Sequence, residues 1–294
     1  GRPGLAERPR VAYQGEPGAF AEEAAVAFFA APDVVALPTW RDVFEAVAGG
    51  AADAGVVPIE SSLAGTVRET HDLLFEFDRA GIRIVGEASV PVRLALLALP
   101  GETLDGIERV YSHAQALAQA DAFLRSRPWQ VLTTYNTAGA AKMIADRGER
   151  RAAAIASPRV AAIYGLAVLA PDVQTGADNR TRFAILGREG APPPAAWLRD
   201  PSPDRPPKTT LVFAVRNVPG SLHRCLGAFA TRGINLSRLE SRPWIGRGAR
   251  WEYVFWADLD AGPPDAAFVE ALEALRGQAE LVRVLGTYPR AAED

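Results

Sequence analysis

The sequence predicts an α/β protein with a large N-terminal domain and a smaller C-terminal domain. Short apolar β-type runs alternate with runs of helical period through residues 10–190, which is typical of βα units around a largely parallel sheet. Residues 191–207 are dense in proline, which breaks helices and central strands and favours an extended linker. Residues 208–288 follow the order βαββαβ, the ferredoxin-like plan.

In the large domain, most predicted strands lead into a predicted helix. The strand and helix pairs are residues 11–14 and 19–30, 34–37 and 41–48, 54–59 and 67–77, 109–112 and 115–125, 130–135 and 138–146, and 153–156 and 159–164. Two stretches break the alternation, because residues 86–100 read as consecutive strands and the strand at 181–186 has no helix before it. These breaks predict two lobes, with chain crossings near residues 88–93 and 171–177 and a cleft between the lobes. Ligands of such sheets bind at the carboxyl ends of strands and at helix N-termini.

In the small domain, strands and helices alternate with glycine-containing turns. The predicted strands are residues 209–216, 234–242, 251–259 and 281–287, and the predicted helices are residues 221–231 and 264–275. A domain of this plan is usually a binding module, since fold alone specifies no chemistry. The segments 217–222, 233–236 and 240–243 are either ordinary turns and strand ends or a backbone nest that suits an amino-acid carboxylate beside Asn235.

The composition excludes several classes of protein. The chain has 294 residues, 48% hydrophobic and 23% charged, which excludes disorder and a fibrous repeat. A net charge of −3 and a pI near 5.8 leave no basic footprint for nucleic acid or an anionic membrane. The apolar run at 94–99 is too short to span a bilayer, and Cys225 has no partner for an intramolecular disulfide. We therefore expect a cytoplasmic protein with no leader and no membrane or nucleic-acid partner.

The sequence lacks the motifs of the common cofactor and nucleophile classes. It has no G-x-x-x-x-G-K-[ST] phosphate loop, no G-x-G-x-x-G after a strand and no G-x-S-x-G elbow. The two lysines, Lys142 in a helix and Lys208 at the linker, are poor candidates for a Schiff base. His71, His113 and His223 are scattered, so no metal site is expected. We expect chemistry that polar side chains and backbone amides perform without a cofactor.

Two polar stretches follow predicted strands of the large domain. A buried-strand pattern runs into Glu60, which would face a cleft from the end of the strand; alternatively, Glu60 is a solvated loop acid beside a T-x-x-E capping box at residues 66–69. Ser112 and Gln115 fit an S-x-x-Q capping box, and Gln119 lies one turn further on the same helix face. A helix start with a hydroxyl and two amides suits an anion, although capping alone explains the first two residues.

Two further stretches are candidates for the same site. Asn136 precedes a helix whose first residues, from Thr137 on, are small enough to let a ligand approach its N-terminus, although a plain N-cap also explains the pattern. In the last strand of the large domain, Thr181 and Phe183 share one face while Arg182 points to the other. Arg182 is either a bidentate clamp for a carboxylate or a salt-bridge partner.

Taken in order, these segments resemble the prephenate dehydratase family, in its monofunctional form with a C-terminal ACT domain. The motifs are A-Y-Q-G-E-P-G-A-F-A from Ala12, V-P-I-E-S-S-x-x-G-T-V from Val57, S-H-A-Q-A-L-A-Q from Ser112, N-x-T-R-F from Asn179, and then P-G-S-L, G-I-N-L and E-S-R-P. Each motif alone is weak evidence, but together they cover residues 11–285 in the right order.

The resemblance implies a two-lobed domain like a type II periplasmic binding protein, with prephenate between the lobes. It implies that the ring hydroxyl and carbon dioxide leave together, giving phenylpyruvate for L-phenylalanine biosynthesis with no metal or organic cofactor. On this resemblance, Thr181 donates a hydrogen bond or proton to the departing hydroxyl, acting with Glu60 or a relay. The implied substrate-binding residues are Ser112, Gln115 and Gln119 for polar groups, Thr137 for a carboxylate, Arg182 for the dianion and Phe183 for the ring.

The ACT motifs imply feedback inhibition by L-phenylalanine at a subunit interface, and hence a homodimer or homotetramer. The implied effector contacts are Gly220, Ser221, Leu222, Asn235, Glu240, Ser241, Arg242 and Pro243. The chain departs from the family at Ser61, where asparagine is usual, at Ala114, where proline is usual, and at Ser221, where alanine is usual. Because Ser61 lacks the amide donor, no binding role is carried over to it.

Two other functions stay open from the sequence. Arogenate dehydratase acts on the aminated substrate and shares these motifs. A non-catalytic phenylalanine sensor would keep the two-lobed domain and the ACT module, although the intact catalytic motifs favour an enzyme. No chorismate mutase domain is expected, since little sequence precedes Val11.

Overall fold

The computed structural model describes residues 8–201, 204–244 and 252–292. Within these residues the strands form three sheets, two in the N-terminal part and one in the C-terminal part. In chain order the elements are β1 (Arg10–Gln14), α1 (Phe20–Phe28), β2 (Asp33–Leu37), α2 (Trp40–Ala48), β3 (Ala54–Ser61), β4 (Gly65–Thr66), α3 (Arg68–Glu76), β5 (Ile82–Pro91), β6 (Ala95–Ala98), β7 (Arg109–Ser112), α4 (Ala114–Gln119), α5 (Asp121–Arg125), β8 (Gln130–Thr133), α6 (Thr137–Arg147), β9 (Ala152–Ala156), α7 (Arg159–Tyr164), β10 (Ala167–Ala170), β11 (Arg180–Arg188), β12 (Pro207–Ala214), α8 (Ser221–Ala230), β13 (Leu236–Pro243), β14 (Tyr253–Leu259), α9 (Ala266–Gln278) and β15 (Leu281–Pro289).

The N-terminal part divides into two lobes, each with its own sheet. The first lobe has the strand order β2-β1-β3-β11-β5, with β4 paired to β3, and the second lobe has the order β10-β6-β9-β7-β8. In the first lobe β1 is parallel to β2 and β3, whereas β11 is antiparallel to both of its neighbours. The chain passes to the second lobe between β5 and β6 and returns between β10 and β11. The predicted α/β class with two lobes is confirmed. The prediction of largely parallel sheets is wrong, because both sheets are mixed: β11 is antiparallel to its neighbours in the first lobe, and β6 is antiparallel to β9 and β10 in the second.

Two helices of the N-terminal part, α2 and α6, start at polar side-chain caps. Asn136 accepts a hydrogen bond from the N–H of Gly139 at the start of α6, and α6 ends at Gly148 in the left-handed conformation. Thr39 and Asp42 form a capping box at the start of α2. The capping box that the alternative interpretation placed at residues 66–69 does not form, because α3 begins after Val67 without a side-chain cap.

The C-terminal domain has the sheet order β13-β14-β12-β15, and its strands and helices follow the predicted βαββαβ plan. Alternate side chains of β12 pack into two different hydrophobic cores. Leu211 and Phe213 pack with α8 and α9, whereas Val212 and Ala214 pack into a core shared with the first lobe. The sheet is therefore covered by its own helices on one face and by the first lobe on the other.

The shared core brings the backbones of the two domains into close contact. Trp256 and Leu285 of the C-terminal domain pack with Phe44 and Ile84 of the first lobe. At Gly286 on β15 a Cβ atom would overlap the backbone carbonyl of Ile84 on β5. Glycine is required here for the approach of two backbones rather than for a turn.

The proline-rich segment is partly docked on the first lobe rather than free. Trp197 and Leu198 pack against the core that contains Phe29, and Phe29 and Leu198 form an isolated β-bridge. Residues 202–203 of the predicted linker lie outside the described residues, as does the first residue of the strand predicted at 251–259. In the described part of the chain, no helix has the length and apolar character needed to cross a bilayer.

Candidate active site

A cleft of about 390 Å³ lies between the two lobes. This volume falls in the range of small-molecule binding sites, about 300–1,000 Å³. The first lobe contributes Gln14, Thr39, Trp40, Pro58, Glu69, Thr181 and Phe183 to its walls, and the second contributes His113, Gln115, Gln119, Tyr135, Asn136 and Thr137. The cleft thus gathers the ends of strands and the starts of helices from both sheets, as expected for a sheet of this class.

Helix N-termini from both lobes point at the cleft. Ala19, Thr39 and Asn136, the N-cap residues of α1, α2 and α6, all line it. Free backbone N–H groups and the helix dipole make such positions favourable for anions. Among the described lining residues no lysine or arginine occurs, and Glu69 and His113 supply the acidic and imidazole groups. An anion in this cleft would be held by dipoles and hydrogen bonds rather than by a guanidinium.

Four polar side chains in the cleft are available for a ligand. Thr181, Thr137, Gln115 and Gln119 line it, and within the described residues none of their side chains has a hydrogen-bond partner. Gln119, Thr137 and Thr181 are partly buried and Gln115 is exposed. Their convergence on one cavity leaves four polar side chains available to a polar ligand. Phe183, which is 3% exposed, forms an apolar part of the same wall.

Glu60, predicted as a catalytic partner of Thr181, lies on the opposite face of the sheet. The pairing of β11 with β3 shifts between Arg182 and Phe183, so that Arg182 pairs with Glu60, Phe183 pairs with Pro58, and Ile59 has no partner. Such a β-bulge sends successive side chains to the same face. Pro58 therefore lines the cleft while Glu60 turns away from it, and the catalytic assignment of Glu60 is wrong.

Arg182, predicted to meet the substrate dianion, also faces away from the cleft. Its Nη1 lies 3.2 Å from Oε2 of Glu60, and its Nε lies 3.2 Å from Oε1 of Glu87. Glu87 belongs to the buried boundary with the C-terminal domain, where its side chain is 5% exposed. The salt-bridge alternative for Arg182 is the one that the structure supports.

Ser112, predicted as a substrate contact and helix cap, has a structural role instead. It is the last residue of β7, is fully buried and donates its hydroxyl hydrogen to the carbonyl of Ile155 at 2.6 Å. The N-cap of α4 is His113, whose Nδ1 accepts a hydrogen bond from the N–H of Gln115 at 3.3 Å. In the neutral ring the proton is then on Nε2, which leaves a donor for the cleft.

The lobes also contact each other beside the cleft. Arg159 at the start of α7 pairs with Glu22 on α1, and Glu22 accepts a further hydrogen bond from the hydroxyl of Tyr13. Burial and the adjacent carboxylate raise the pKa of Tyr13 far above its ordinary value. Burial likewise raises the pKa of Glu23, which accepts a hydrogen bond from Ser157 in the second lobe. These contacts join the lobes on one side of the cleft.

The predicted effector residues do not form one site within this chain. Gly220, Ser221 and Leu222 lie at the start of α8, and Asn235 lies before β13, where its amide donates to Asp260 at 2.7 Å. The segment from Glu240 to Pro243 is the other end of β13, about 20 Å from Asn235 at 3.3 Å per residue.

Two of these effector residues contact the first lobe. Glu240 accepts a hydrogen bond from Thr66, and Arg242 forms an ion pair with Asp72 at 2.6 Å. Ser241 alternates with them and is exposed on the other side of the strand. Their roles toward an effector stay predictions.

The sequence did not predict several of the residues that line the cleft. His113 belongs to the S-H-A-Q-A-L-A-Q motif, but a single histidine without a second metal ligand nearby does not by itself indicate a functional site. Thr39 could have been found, because T-x-x-D before an apolar run is a capping signal and N-caps border such clefts. Tyr135 and Gln14 give no local signal, since only the closure of the lobes brings them together; the Tyr135 hydroxyl lies 3.4 Å from the carbonyl of Pro38 across the cleft.

Comparison with known proteins identifies the family. The family model described as prephenate dehydratase matches residues 11–191, which include the whole cleft. The chain belongs to the prephenate dehydratase family. The family model of the ACT domain matches residues 209–277, so the C-terminal domain is an ACT domain.

Curated relatives resemble the chain over nearly its full length. The arogenate dehydratase/prephenate dehydratase 2 of Arabidopsis thaliana, a chloroplastic protein, is 39% identical over 96% of this chain and 73% of the relative. The bifunctional chorismate mutase/prephenate dehydratase of Aquifex aeolicus is 35% identical over 98% of this chain and 75% of the relative. The relatives therefore include proteins named for either substrate.

Two solved structures share the fold. The prephenate dehydratase of Arthrobacter aurescens in complex with L-Phe has a TM-score of 0.83 and 34% identity, covering 96% of this chain and 90% of the other. A protein described as a novel type of quorum quenching acylase has a TM-score of 0.82 and 35% identity, covering 96% and 98%. The first of these was solved with the amino acid that the ACT motifs predict as effector.

Proposed function

We propose that this chain catalyses the decarboxylating dehydration of prephenate to phenylpyruvate, water and carbon dioxide, a step of L-phenylalanine biosynthesis. Family membership supports the reaction class. The observation that carries the proposal is the hydroxyl of Thr181, which lies in the cleft without a hydrogen-bond partner among the described residues. It is the group that the family motif places at the departing hydroxyl.

The reaction needs little more than orientation and one proton. The bond from the ring to the carboxylate breaks, its electron pair enters the ring as the ring becomes aromatic, and the C–O bond breaks on the far side. Hydroxide leaves as water once it receives a proton. The hydroxyl of Thr181 donates a hydrogen bond to this leaving group, and holding it in line with the breaking bonds supplies much of the acceleration.

A threonine hydroxyl is a weak acid and needs a proton source. Glu60 lies on the other face of the sheet, so the relay must run through groups of the cleft. His113 is positioned as a hydrogen-bond donor in this relay, since its Nδ1 accepts the N–H of Gln115 and its neutral ring carries its proton on Nε2. Because a neutral imidazole does not give up that proton, the proton that the leaving hydroxide takes up comes from water. Gln115, Gln119 and Thr137 bind the polar groups of the substrate, and the start of α6 stabilises a carboxylate.

The test is turnover of prephenate by Thr181 variants, followed by the absorbance of phenylpyruvate. Thr181→Ala should lower kcat by about 10²–10⁴-fold, the usual contribution of a group that assists proton transfer, while Thr181→Ser should keep much of the activity. Thr133→Ala, at an exposed threonine of β8, is the matched control and should retain wild-type turnover. Wild-type turnover by Thr181→Ala would refute the assignment.

Feedback inhibition by L-phenylalanine through the ACT domain is part of the proposal. The ACT match supports it, and the Arthrobacter relative was solved with L-Phe. Because the predicted effector residues lie at both ends of β13, a second copy of the chain would complete the site, which favours a homodimer or homotetramer. Light scattering with and without L-phenylalanine tests the assembly. A cytoplasmic location stays a prediction, since plant relatives are named as chloroplastic.

Arogenate is the second candidate substrate. Glu69 lines the cleft and offers a carboxylate to the ammonium group that distinguishes arogenate from prephenate, and seven of the relatives bear the arogenate dehydratase name. Parallel assays on both substrates decide the preference. Binding of prephenate without turnover of either substrate would instead indicate a sensor.

One neighbour in fold is described as an acylase, but neither Cys225 nor Thr181 has the arrangement that a covalent acylase uses. A covalent acyl-enzyme needs a nucleophile beside a base. Cys225 is fully buried in the ACT core, where burial raises the pKa of its thiol, and Thr181 has no base bonded to it within the described residues.

A further inference from the structure

A buried cluster of charged side chains joins the first lobe to the ACT domain behind the cleft. Lys208, the second residue of β12, places its Nζ 2.7 Å from Oε1 of Glu87 on β5. Arg182 on β11 places its Nε 3.2 Å from the same oxygen. The side chains of Lys208 and Glu87 are each 5% exposed. One carboxylate oxygen therefore binds a cation from each of the two domains.

The remaining partners of the cluster define its geometry. Oε2 of Glu87 accepts a hydrogen bond from the N–H of Ala291 at 2.9 Å. Nζ of Lys208 also lies 3.8 Å from Asp258, which binds Arg238 at 3.0 Å. Burial opposes ionisation of Asp258, but Arg238 and Lys208 outweigh it and hold the pKa of this carboxyl below its ordinary value. Every charged group of the cluster thus has defined partners.

Such a cluster is weak evidence for stability, because the cost of desolvating the charges offsets most of their attraction. Apolar side chains hold the same two domains together next to it, in the core that contains Ile84, Trp256 and Leu285. Charges add a geometric constraint that apolar contacts lack, since hydrogen bonds and ion pairs have preferred directions and distances. The cluster is therefore better suited to setting a position than to adding stability.

The position that it sets is that of the strand carrying Thr181. Arg182 follows Thr181 on β11, and their side chains leave the strand on opposite faces. On the β3 side the pairing is irregular at this point because Ile59 is bulged out. A rotation of the strand that moves Arg182 would also move the hydroxyl of Thr181.

We propose that Arg182, Glu87 and Lys208 are positioning residues. Lys208 and Glu87 connect β12, the first strand of the ACT domain, to Arg182, which is the neighbour of Thr181 on β11. A shift of the ACT domain then changes the orientation of the Thr181 hydroxyl in the cleft, although no residue of that domain enters the cleft. This inference rests on the proposed role of Thr181 in the reaction.

The test is a paired substitution that leaves no charge without a partner. The variant E87Q/K208M removes one anion and one cation, while Arg182 keeps Glu60 at 3.2 Å and Asp258 keeps Arg238 at 3.0 Å. The matched control is D78N/R283M, which removes another ion pair across the same boundary, at 3.5 Å. Asp78 also binds Arg83 at 2.9 Å, and in the control Arg83 keeps Glu189 at 3.3 Å. Lys208→Arg keeps the charge and tests for rescue.

Three readouts separate positioning from a merely structural role. In E87Q/K208M, kcat should fall about tenfold while KM changes less than about twofold, because the substrate still binds but the donor is misplaced. The fractional inhibition by saturating L-phenylalanine should fall to less than about half of the wild-type value, since coupling and not effector binding is lost. Amide hydrogen exchange in residues 180–188, measured without substrate, should be faster. D78N/R283M should match the wild type in all three, and Lys208→Arg should retain most of kcat.

Equal effects in the two paired variants would overturn the proposal, as would wild-type kcat and exchange in E87Q/K208M. A wild-type protein that turns over neither prephenate nor arogenate would refute the proposed function instead. The exchange comparison would still decide whether the cluster holds β11, since it needs no turnover.

Discussion

The buried His71 predicts that the free energy of unfolding falls as the pH is lowered below 6.5. His71 lies on α3 against the ACT domain, is 1% exposed, and packs edge-on against the ring of Trp256 at 4.7 Å between centroids. Its Nδ1 lies 2.7 Å from the carbonyl of Val67, to which it donates, and its Nε2 accepts from Nη1 of Arg238 at 2.8 Å. Both nitrogens are therefore satisfied in the neutral ring, and a second proton would face a guanidinium.

The magnitude follows from the change in pKa. Burial, and then the charge of Arg238, lower the pKa of His71 from its ordinary value of 6.5 to about 4. The unfolded chain thus binds a proton that the folded chain does not between these values, so stability rises with pH across this window and is lost as the pH falls through it. At about 1.4 kcal/mol per pKa unit, the full effect is about 3 kcal/mol, of which about 2 kcal/mol falls between pH 7 and pH 5.

The assay is urea unfolding of the wild type and His71→Gln at pH 7 and pH 5. Glutamine can donate to Val67 and accept from Arg238 but does not titrate, so the variant should lose about 2 kcal/mol less than the wild type on acidification. His223→Gln, at an exposed histidine of α8, is the control and should keep the wild-type dependence. The reasoning would be refuted by the same pH dependence in His71→Gln and the wild type.

Two further substitutions test the fold. Gly286→Ala should lower the free energy of unfolding by about 1–3 kcal/mol, because its methyl group would overlap the carbonyl of Ile84 and push the ACT sheet from the first lobe. Calorimetry should then show the two domains beginning to unfold separately, and a single wild-type transition would contradict the close-approach argument. Asn136→Ala should cost about 1 kcal/mol by removing the N-cap of α6, measured by urea unfolding. A loss of substrate affinity should accompany it because Asn136 lines the cleft, and unchanged stability and KM would exclude both roles.

Local patterns were sufficient wherever the relevant contacts lie close in the sequence. The alternation of apolar and helical runs predicted the α/β class, because each βα unit shows its own period, and the two breaks in that alternation predicted the two lobes. The strand pattern also placed Thr181 and Phe183 on one face and Arg182 on the other, which the cleft lining and the ion pairs of Arg182 bear out. That alternation already argued against a substrate contact for Arg182.

Long-range contacts decided the assignments that failed. An unbroken strand would have placed Pro58 and Glu60 on one face, but the bulge at Ile59 depends on the register with β11, more than a hundred residues later. Ser112 looked like a helix cap until β9 supplied the carbonyl of Ile155 as its partner.

What the sequence by itself determined is the set of elements, the family and the polar groups that could form a site. The tertiary structure decided which of those groups meet. The face of the sheet on which a side chain lies depends on strand register, and the contacts across the cleft depend on the closure of the two lobes. It also decided the buried cluster at Glu87, Arg182 and Lys208, which come from three separate strands. No local pattern marks Glu87 or Lys208, since a buried charge is recognisable only once its partners are known.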